Sequence, residues 1–232
     1  MTDRYIALIR HGAYHQQRET PSALQPYPLT QTGRAQASQC GAEIADILLR
    51  HRWSLDPVAH CSTELRAWQT AQVARDELSR SGHEIETTQT PLLSERSVGS
   101  AANLTVHQIE QALADDPRYP NPPEGWKSNS EYSLPYHGAE SLMMAGARVA
   151  VYLRSVIEKR SQASTPQLTL FFGHGASFRH AAFNLGVLAR EEIAQLSMYH
   201  ARPLFLCYNR SSQWEHFGGD WKHRSRSSLE TD

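Results

Sequence analysis

Short apolar runs alternate along this chain with longer stretches in which apolar residues recur every three or four positions. The first run, Tyr5 to Ile9, stops abruptly at Arg10-His11-Gly12. A short apolar run bounded in this way reads as a buried strand that opens into a loop. Residues 12–29 are polar and carry Pro21, Pro26 and Pro28, which predicts loop. From Thr30 to His51 the spacing turns helical, with Ala37, Gly41, Ile44, Ala45 and Leu48 on one face and Thr30 or Thr32 able to cap. Asp56 to Cys61 predicts a second strand, Thr63 to Ser81 a helix, Glu84 to Thr88 a third strand, and Thr105 to Ala114 a short helix. A long helix is expected over Glu140 to Lys159, with Ala145, Val149, Tyr152, Leu153 and Val156 on one side. Gln167 to Phe172 is the clearest strand, and it breaks into Gly173-His174-Gly175 as the first breaks into Arg10-His11-Gly12. A helix over Ser177 to Leu188 follows, then a hairpin of Pro203–Tyr208 and Gln213–Phe217 turning at Asn209 to Ser212.

Strands alternating with helices predict an α/β fold, a three-layer sandwich with a mostly parallel central sheet flanked by helices. Asp116 to His137 stands apart, with five prolines and the aromatics Tyr119, Trp126, Tyr132 and Tyr136. The prolines forbid a regular element while the aromatics demand something to pack on. We therefore expect one domain over 1–232, a lid-like insertion at about 105–137 and a frayed tail at 222–232.

Composition changes this picture little. The apolar fraction is 40% and the charged fraction 20%, a globular balance. With 23 basic against 24 acidic residues the net charge is −1, which supports neither a nucleic-acid partner nor an anionic membrane surface. No run approaches the length of a membrane span, and the start lacks a signal-peptide pattern. Cys40, Cys61 and Cys207 lie far apart among apolar neighbours, as buried free thiols do. A cytoplasmic location is expected. None of the 12 histidines falls in a metal-ligand motif, and phosphate-loop and serine-hydrolase motifs are missing, so no metal or cofactor is expected.

Chemistry enters at the strand ends. In parallel sheets ligands bind outside the carboxyl ends of the strands, and two such ends here deliver a histidine beside a glycine, His11 and His174. Arg10, at the inner end of an apolar strand, requires a partner. A phosphate suits a guanidinium fork, the alternative being a carboxylate elsewhere. Arg66 follows the second strand in the first turns of a helix, where the helix N-terminus also favours an anion. An ion pair with Glu64 or Asp76 is its plainer alternative.

The segments LIRHG at 8–12, LTQTGRAQA at 29–37, CSTELRAWQTA at 61–71, LLSERSVG at 92–99, GAES at 138–141 and FFGHGASFR at 171–179 together resemble the histidine phosphatase superfamily, the branch that contains cofactor-dependent phosphoglycerate mutase. They follow the family order and span most of the chain. The resemblance implies that His11 attacks phosphorus, that Arg10, Arg66 and His174 clamp the phosphate, and that Glu95 gives a proton to the leaving group. A protonated Glu95 requires a carboxyl raised by burial or by the phosphate's charge. Gln17 and Arg96 are the expected substrate contacts, with an ion pair the alternative for Arg96 and a helix-start charge the reading of Glu140.

The partner implied is a phosphorylated small molecule or a phosphoprotein, with oligomeric state left open. Phosphoglycerate mutases carry a pattern with asparagine and tryptophan soon after RHG, whereas AYHQQRETPSALQPYP has neither, so a phosphatase is favoured over a mutase. An inactive phospho-ligand binding module is the third reading, weakened because Arg10, His11, Arg66 and His174 are all present. The secreted acid-phosphatase branch fits poorly, since Tyr14 stands where its pattern has arginine.

Overall fold

The computed structural model describes residues 3–159 and 166–224. Its main sheet has seven strands. They are β1 (Arg4–Arg10), β2 (Ser54–Leu55), β3 (Val58–Ser62), β4 (Glu86–Thr90), β5 (Gln167–Gly173), β7 (Leu204–Tyr208) and β8 (Trp214–Gly218), while β6 (Leu196–Ser197) and β9 (Lys222–His223) pair separately. The order is β4-β3-β5-β1-β7-β8, with β2 beside the start of β5. The first four of these strands run parallel; β7 and β8 add an antiparallel edge. Six helices accompany them among the described residues: α1 (Gln31–His51), α2 (Leu65–Arg80), α3 (Val106–Ala114), α4 (Leu142–Glu158), α5 (Gly175–Asn184) and α6 (Arg190–Gln195).

The three layers follow from the two-residue period of the strands. On β1, Ala7 and Ile9 join one core with Cys40, Ile44 and Leu48 of α1 and Ala71, Ala74 and Leu78 of α2. Ile6 and Leu8 face the other way, into Val149, Leu153 and Ile157 of α4 and Phe178 and Ala181 of α5. Three helices begin at a capping side chain: Thr30 accepts from the Gly33 amide ahead of α1, Thr105 from the Gln108 amide ahead of α3, and Ser141 from the Met144 amide ahead of α4. The three cysteines are buried and free.

The aromatic, proline-rich stretch makes a third, smaller core. Trp126 and Leu134 pack with Ile109 and Leu113 of α3, Ala23 and Val98, and Tyr119, Tyr132 and Tyr136 lie against them. Within the tail expected to fray over 222–232, Lys222 and His223 pair with Ser197 and Leu196, and residues 225–232 lie outside the described residues. The predicted helix over 177–188 also starts and ends earlier, and residues 190–197, given no element by the sequence, form α6 and β6.

Two buried histidines make the fold sensitive to acid. His60 stacks on Phe171 and pairs with the Tyr152 hydroxyl; His180 donates through Nδ1 to the Ala176 carbonyl and accepts at Nε2 from Ser130. Burial lowers both from the ordinary 6.5 to about 4, Arg179 adding to the effect at His180. The unfolded chain therefore binds more protons between these values, and stability is full above pH 6.5 and lost as pH falls toward 4. Each histidine contributes about 2 to 3 kcal/mol across that window. Urea unfolding at stepped pH should show a midpoint that drops steadily below pH 6.5; a flat midpoint down to pH 4.5 would contradict the assignment.

Candidate active site

The parallel pairing of β1 with β5 brings the two strand-end histidines together. Its register sets Arg10 beside Gly173, and the His11 amide donates to the Gly173 carbonyl at 2.9 Å. One residue further on, the rings of His11 and His174 sit with centroids 5.2 Å apart. Gly12 is required by a close approach: a Cβ there would lie 2.5 Å from the Gly33 carbonyl oxygen.

The tautomer of His11 follows from one bond. Its Nδ1 lies 2.8 Å from the Gly12 carbonyl oxygen, which can only accept, so Nδ1 carries the hydrogen and Nε2 keeps its lone pair. Burial, then the neighbouring Arg66, His174 and Arg10, hold His11 well below its ordinary value, against a small opposing pull from the Gly12 bond. A buried neutral imidazole with a free Nε2 is a competent nucleophile.

Arg66 and His174 are fully buried against each other. Arg66 donates through Nη1 to the Gln25 carbonyl at 3.0 Å, through Nη2 to those of Ser22 and Ala23 at 2.8 and 3.0 Å, and to His174 Nδ1 at 3.2 Å. The Tyr14 ring lies 4.8 Å from its guanidinium carbon, and its Nε has no hydrogen-bond partner. The ion pairs considered for Arg66 do not form: Glu64 turns to His174 and Asp76 to Arg75. Arg10 donates to the Met198 carbonyl at 3.0 Å.

Glu95 lies at the N-terminus of α5, accepting from the Ser177 amide at 3.2 Å and the Arg96 amide at 2.9 Å. Burial alone would raise its carboxyl. His174, the Arg96 amide and the guanidiniums of Arg66 and Arg96 outweigh that and hold it below the ordinary value. The expectation of a raised carboxyl is therefore corrected for the empty site, where burial is not the deciding influence. Arg96 is buried over the Trp126 ring at 5.8 Å, donates through Nη2 to the Lys127 carbonyl, and has no partner for Nη1. Glu140 is a structural ion-pair partner, held by Arg148 at 2.7 Å while accepting from the Ser97 amide.

These groups border a cleft of about 730 Å³, open solvent included. Arg10, His11, Tyr14, Gln16, Glu95 and Arg96 line it, with Lys127 and Ser128 of the aromatic, proline-rich stretch and Arg179, Ser197 and Arg224. Gln17, expected as a substrate contact, does not line it; its side-chain oxygen accepts from Tyr27, and Gln16 takes the place instead. Arg66 and His174 lie beneath the wall of the cleft, within reach of His11. Five cationic side chains, Arg10, Arg96, Lys127, Arg179 and Arg224, face one carboxylate there, although the whole chain is nearly neutral. Sequence reasoning left out Lys127, Arg179 and Arg224, and considered Glu64 only as an ion-pair partner of Arg66. Among the described residues no three His, Cys, Asp or Glu side chains gather to hold a metal ion, and no helix is long and apolar enough to cross a membrane.

Comparison with known proteins gives the family and the fold. The profile of the histidine phosphatase superfamily, branch 1, matches residues 6–214. The 2,3-bisphosphoglycerate-dependent phosphoglycerate mutase of Rhizobium rhizogenes is 26% identical over 208 residues, covering 89% of this chain and 91% of that one. The same-named mutase of Bifidobacterium longum is 27% identical over 216 residues, 86% and 84% of the two chains. Among solved structures, phosphoglycerate mutase from Bacillus anthracis superposes with a TM-score of 0.69 at 16% identity over 99% of this chain and 96% of that one. The mycobacterial glucosyl-3-phosphoglycerate phosphatase in complex with VO3 does so at 0.64, with 21% identity over 95% and 98%.

Proposed function

Because the chain belongs to the histidine phosphatase superfamily, we propose that it hydrolyses a phosphate monoester through a phosphohistidine on His11, without a metal. The observation that carries this reading is the Nδ1–H bond from His11 to the Gly12 carbonyl, which leaves Nε2 unprotonated in a cleft walled by cations. Two buried guanidiniums at the same place have an unpartnered N–H, Nε of Arg66 and Nη1 of Arg96. A phosphoryl oxygen would satisfy the first, and a second anionic group of the substrate the other.

In this reading Nε2 of His11 attacks phosphorus in line while the ester oxygen leaves with a proton from Glu95. Arg10, Arg66 and His174 offset the charge spread over the equatorial oxygens. Water then attacks the phosphohistidine, Glu95 now taking its proton. The carboxyl of Glu95 is held below its ordinary value, so in this reading the proton it gives arrives with the substrate. A phosphate monoester has a second ionisation near pH ~6, and the monoanion carries the hydrogen needed. The dianion's charge beside the carboxylate then favours its transfer to Glu95.

A second reading, transfer of the phosphoryl group back to an organic acceptor, is favoured by the mutase names of the curated relatives. Hydrolysis is supported by the stretch after Gly12, which has neither the asparagine nor the tryptophan of the mutase pattern. Phosphate release from p-nitrophenyl phosphate and a panel of metabolite monoesters, in EDTA, separates the two. Sustained release supports hydrolysis, whereas isomerised product without release supports the mutase.

The cationic cleft also favours a substrate with a second anionic group, such as a carboxylate, seated by Arg96. Arg96→Ala should raise KM about 10- to 100-fold for such a substrate, the loss of a charged hydrogen bond of about 1.5 to 3 kcal/mol. It should change KM little for p-nitrophenyl phosphate, and equal changes for both would remove Arg96 from substrate recognition.

A further inference from the structure

Among the described residues Glu64 is the acidic side chain paired with His174, and the ion pair with Arg66 considered for it does not form. Glu64 precedes α2 yet makes no capping bond to that helix. Its carboxylate turns instead toward the end of β5, where Oε2 lies 3.1 Å from His174 Nε2 and accepts from the Ser62 hydroxyl. Glu64 is 8% exposed, and its Oε1 has no hydrogen-bond partner. A buried carboxylate with one oxygen unsatisfied is poor value as a stabilising element, because desolvation offsets most of the attraction gained. The other end of the His174 ring explains why the charge is there.

His174 Nδ1 accepts from Arg66 Nη2, which can only donate, so the ring hydrogen lies on Nε2, between the Ser62 hydroxyl at 3.0 Å and Glu64 at 3.1 Å. A lone pair on Nδ1 would repel a phosphoryl oxygen. For His174 to help clamp a phosphate, Nδ1 must take up a proton and donate it. The ring would then be an imidazolium, buried in the company of Arg66 and Arg10. Such a cation requires a counter-charge, and the carboxylate of Glu64 is already in place on Nε2.

We propose that Glu64 is a positioning residue for His174: its carboxylate holds Nε2–H and supplies the counter-charge that lets Nδ1 accept a proton and donate it to a phosphoryl oxygen. The balance is simple. Nδ1 takes its proton from solvent as the substrate binds, the substrate's own hydrogen going to Glu95, and the new N–H is hydrogen-bonded to a phosphoryl oxygen. The Arg66 N–H released from Nδ1 turns to another phosphoryl oxygen. This inference rests on the site being a phosphoryl-transfer centre.

The experiment compares wild type with Glu64→Gln and Glu64→Asp. Glutamine keeps the shape and the ability to accept from Nε2 but removes the charge, whereas aspartate keeps the charge with a shorter reach. With a substrate the wild type turns over, Glu64→Gln should lower kcat by about 10- to 100-fold, the usual scale for a group that orients another. Thermal midpoint and KM should change little, and Glu64→Asp should retain more kcat than Glu64→Gln. A merely structural role would reverse that ranking, since glutamine fits the site better. Side-chain ¹⁵N NMR with saturating inorganic phosphate supplies a readout independent of turnover. Both ring nitrogens of His174 should carry hydrogen in the wild type, and only one in Glu64→Gln. Wild-type kcat in Glu64→Gln, or the same His174 signature in both proteins, would overturn the proposal. If wild type hydrolyses nothing, the phosphatase reading fails by itself and the NMR comparison still decides the role of Glu64.

Discussion

His11→Ala is expected to abolish phosphate release while leaving the fold intact. Removing the atom that bonds to phosphorus takes away the covalent route altogether, and losses on the order of 10⁵ or more are typical when a nucleophile is deleted. The fold has little to lose. The His11 side chain makes one hydrogen bond, to the carbonyl of its own neighbour Gly12, and the β1–β5 pairing uses only the backbone amide of His11. Circular dichroism and the denaturation midpoint should match the wild type. Residual turnover within about tenfold of wild type, far smaller than loss of a nucleophile entails, would place the chemistry elsewhere.

Glu95→Gln is expected to cost on the order of 10² to 10⁴ in rate for an alkyl phosphate, as loss of a general acid does. With p-nitrophenyl phosphate the loss should be far smaller, because that leaving group hardly needs a proton. Equal losses on both substrates would reject the acid role. The lowered carboxyl of the empty site adds a sign that can be checked. Since the Glu95 carboxyl is held below its ordinary value, in this reading the proton comes with the substrate, and kcat/KM should fall as pH rises through the second ionisation of the substrate. A substrate with a more acidic phosphate should move that fall to lower pH, whereas a fixed position for all substrates would assign it to a protein group.

The parts of this site that were legible in the sequence are those tied to strand ends. β1 and β5 are apolar on both faces and stop at a histidine and a glycine, so their period, their ends and their chemistry could be read together. Arg66 was legible because it opens a helix immediately after a strand. Glu64 was not, because its contact depends on β3 and β5 being neighbours, which no local pattern encodes. Gln16 and Gln17 show the limit in loops: no period dictates which of two adjacent side chains faces the cleft.

Arg179 and Arg224 reach the cleft beside α6 and the two-residue strands β6 and β9, elements too short to have a period at all. Of the two causes expected for a raised Glu95 carboxyl, burial is outweighed, while the phosphate's charge is the one the proposed mechanism uses. Burial was weighed without His174 and the two backbone amides that accompany it. The aromatic stretch was rightly expected to pack. That Lys127 and Ser128 border the cleft required the third core to be in place first.

The central claim is the phosphohistidine. Quenching the enzyme in alkali during turnover of a good substrate, then mapping the phosphoryl group by mass spectrometry, tests it most directly. The account predicts a phosphoryl group on the peptide containing His11, labile to acid and absent from His11→Ala. Turnover in the wild type with no phosphoryl group on any peptide, or with one on a residue other than His11, would contradict it.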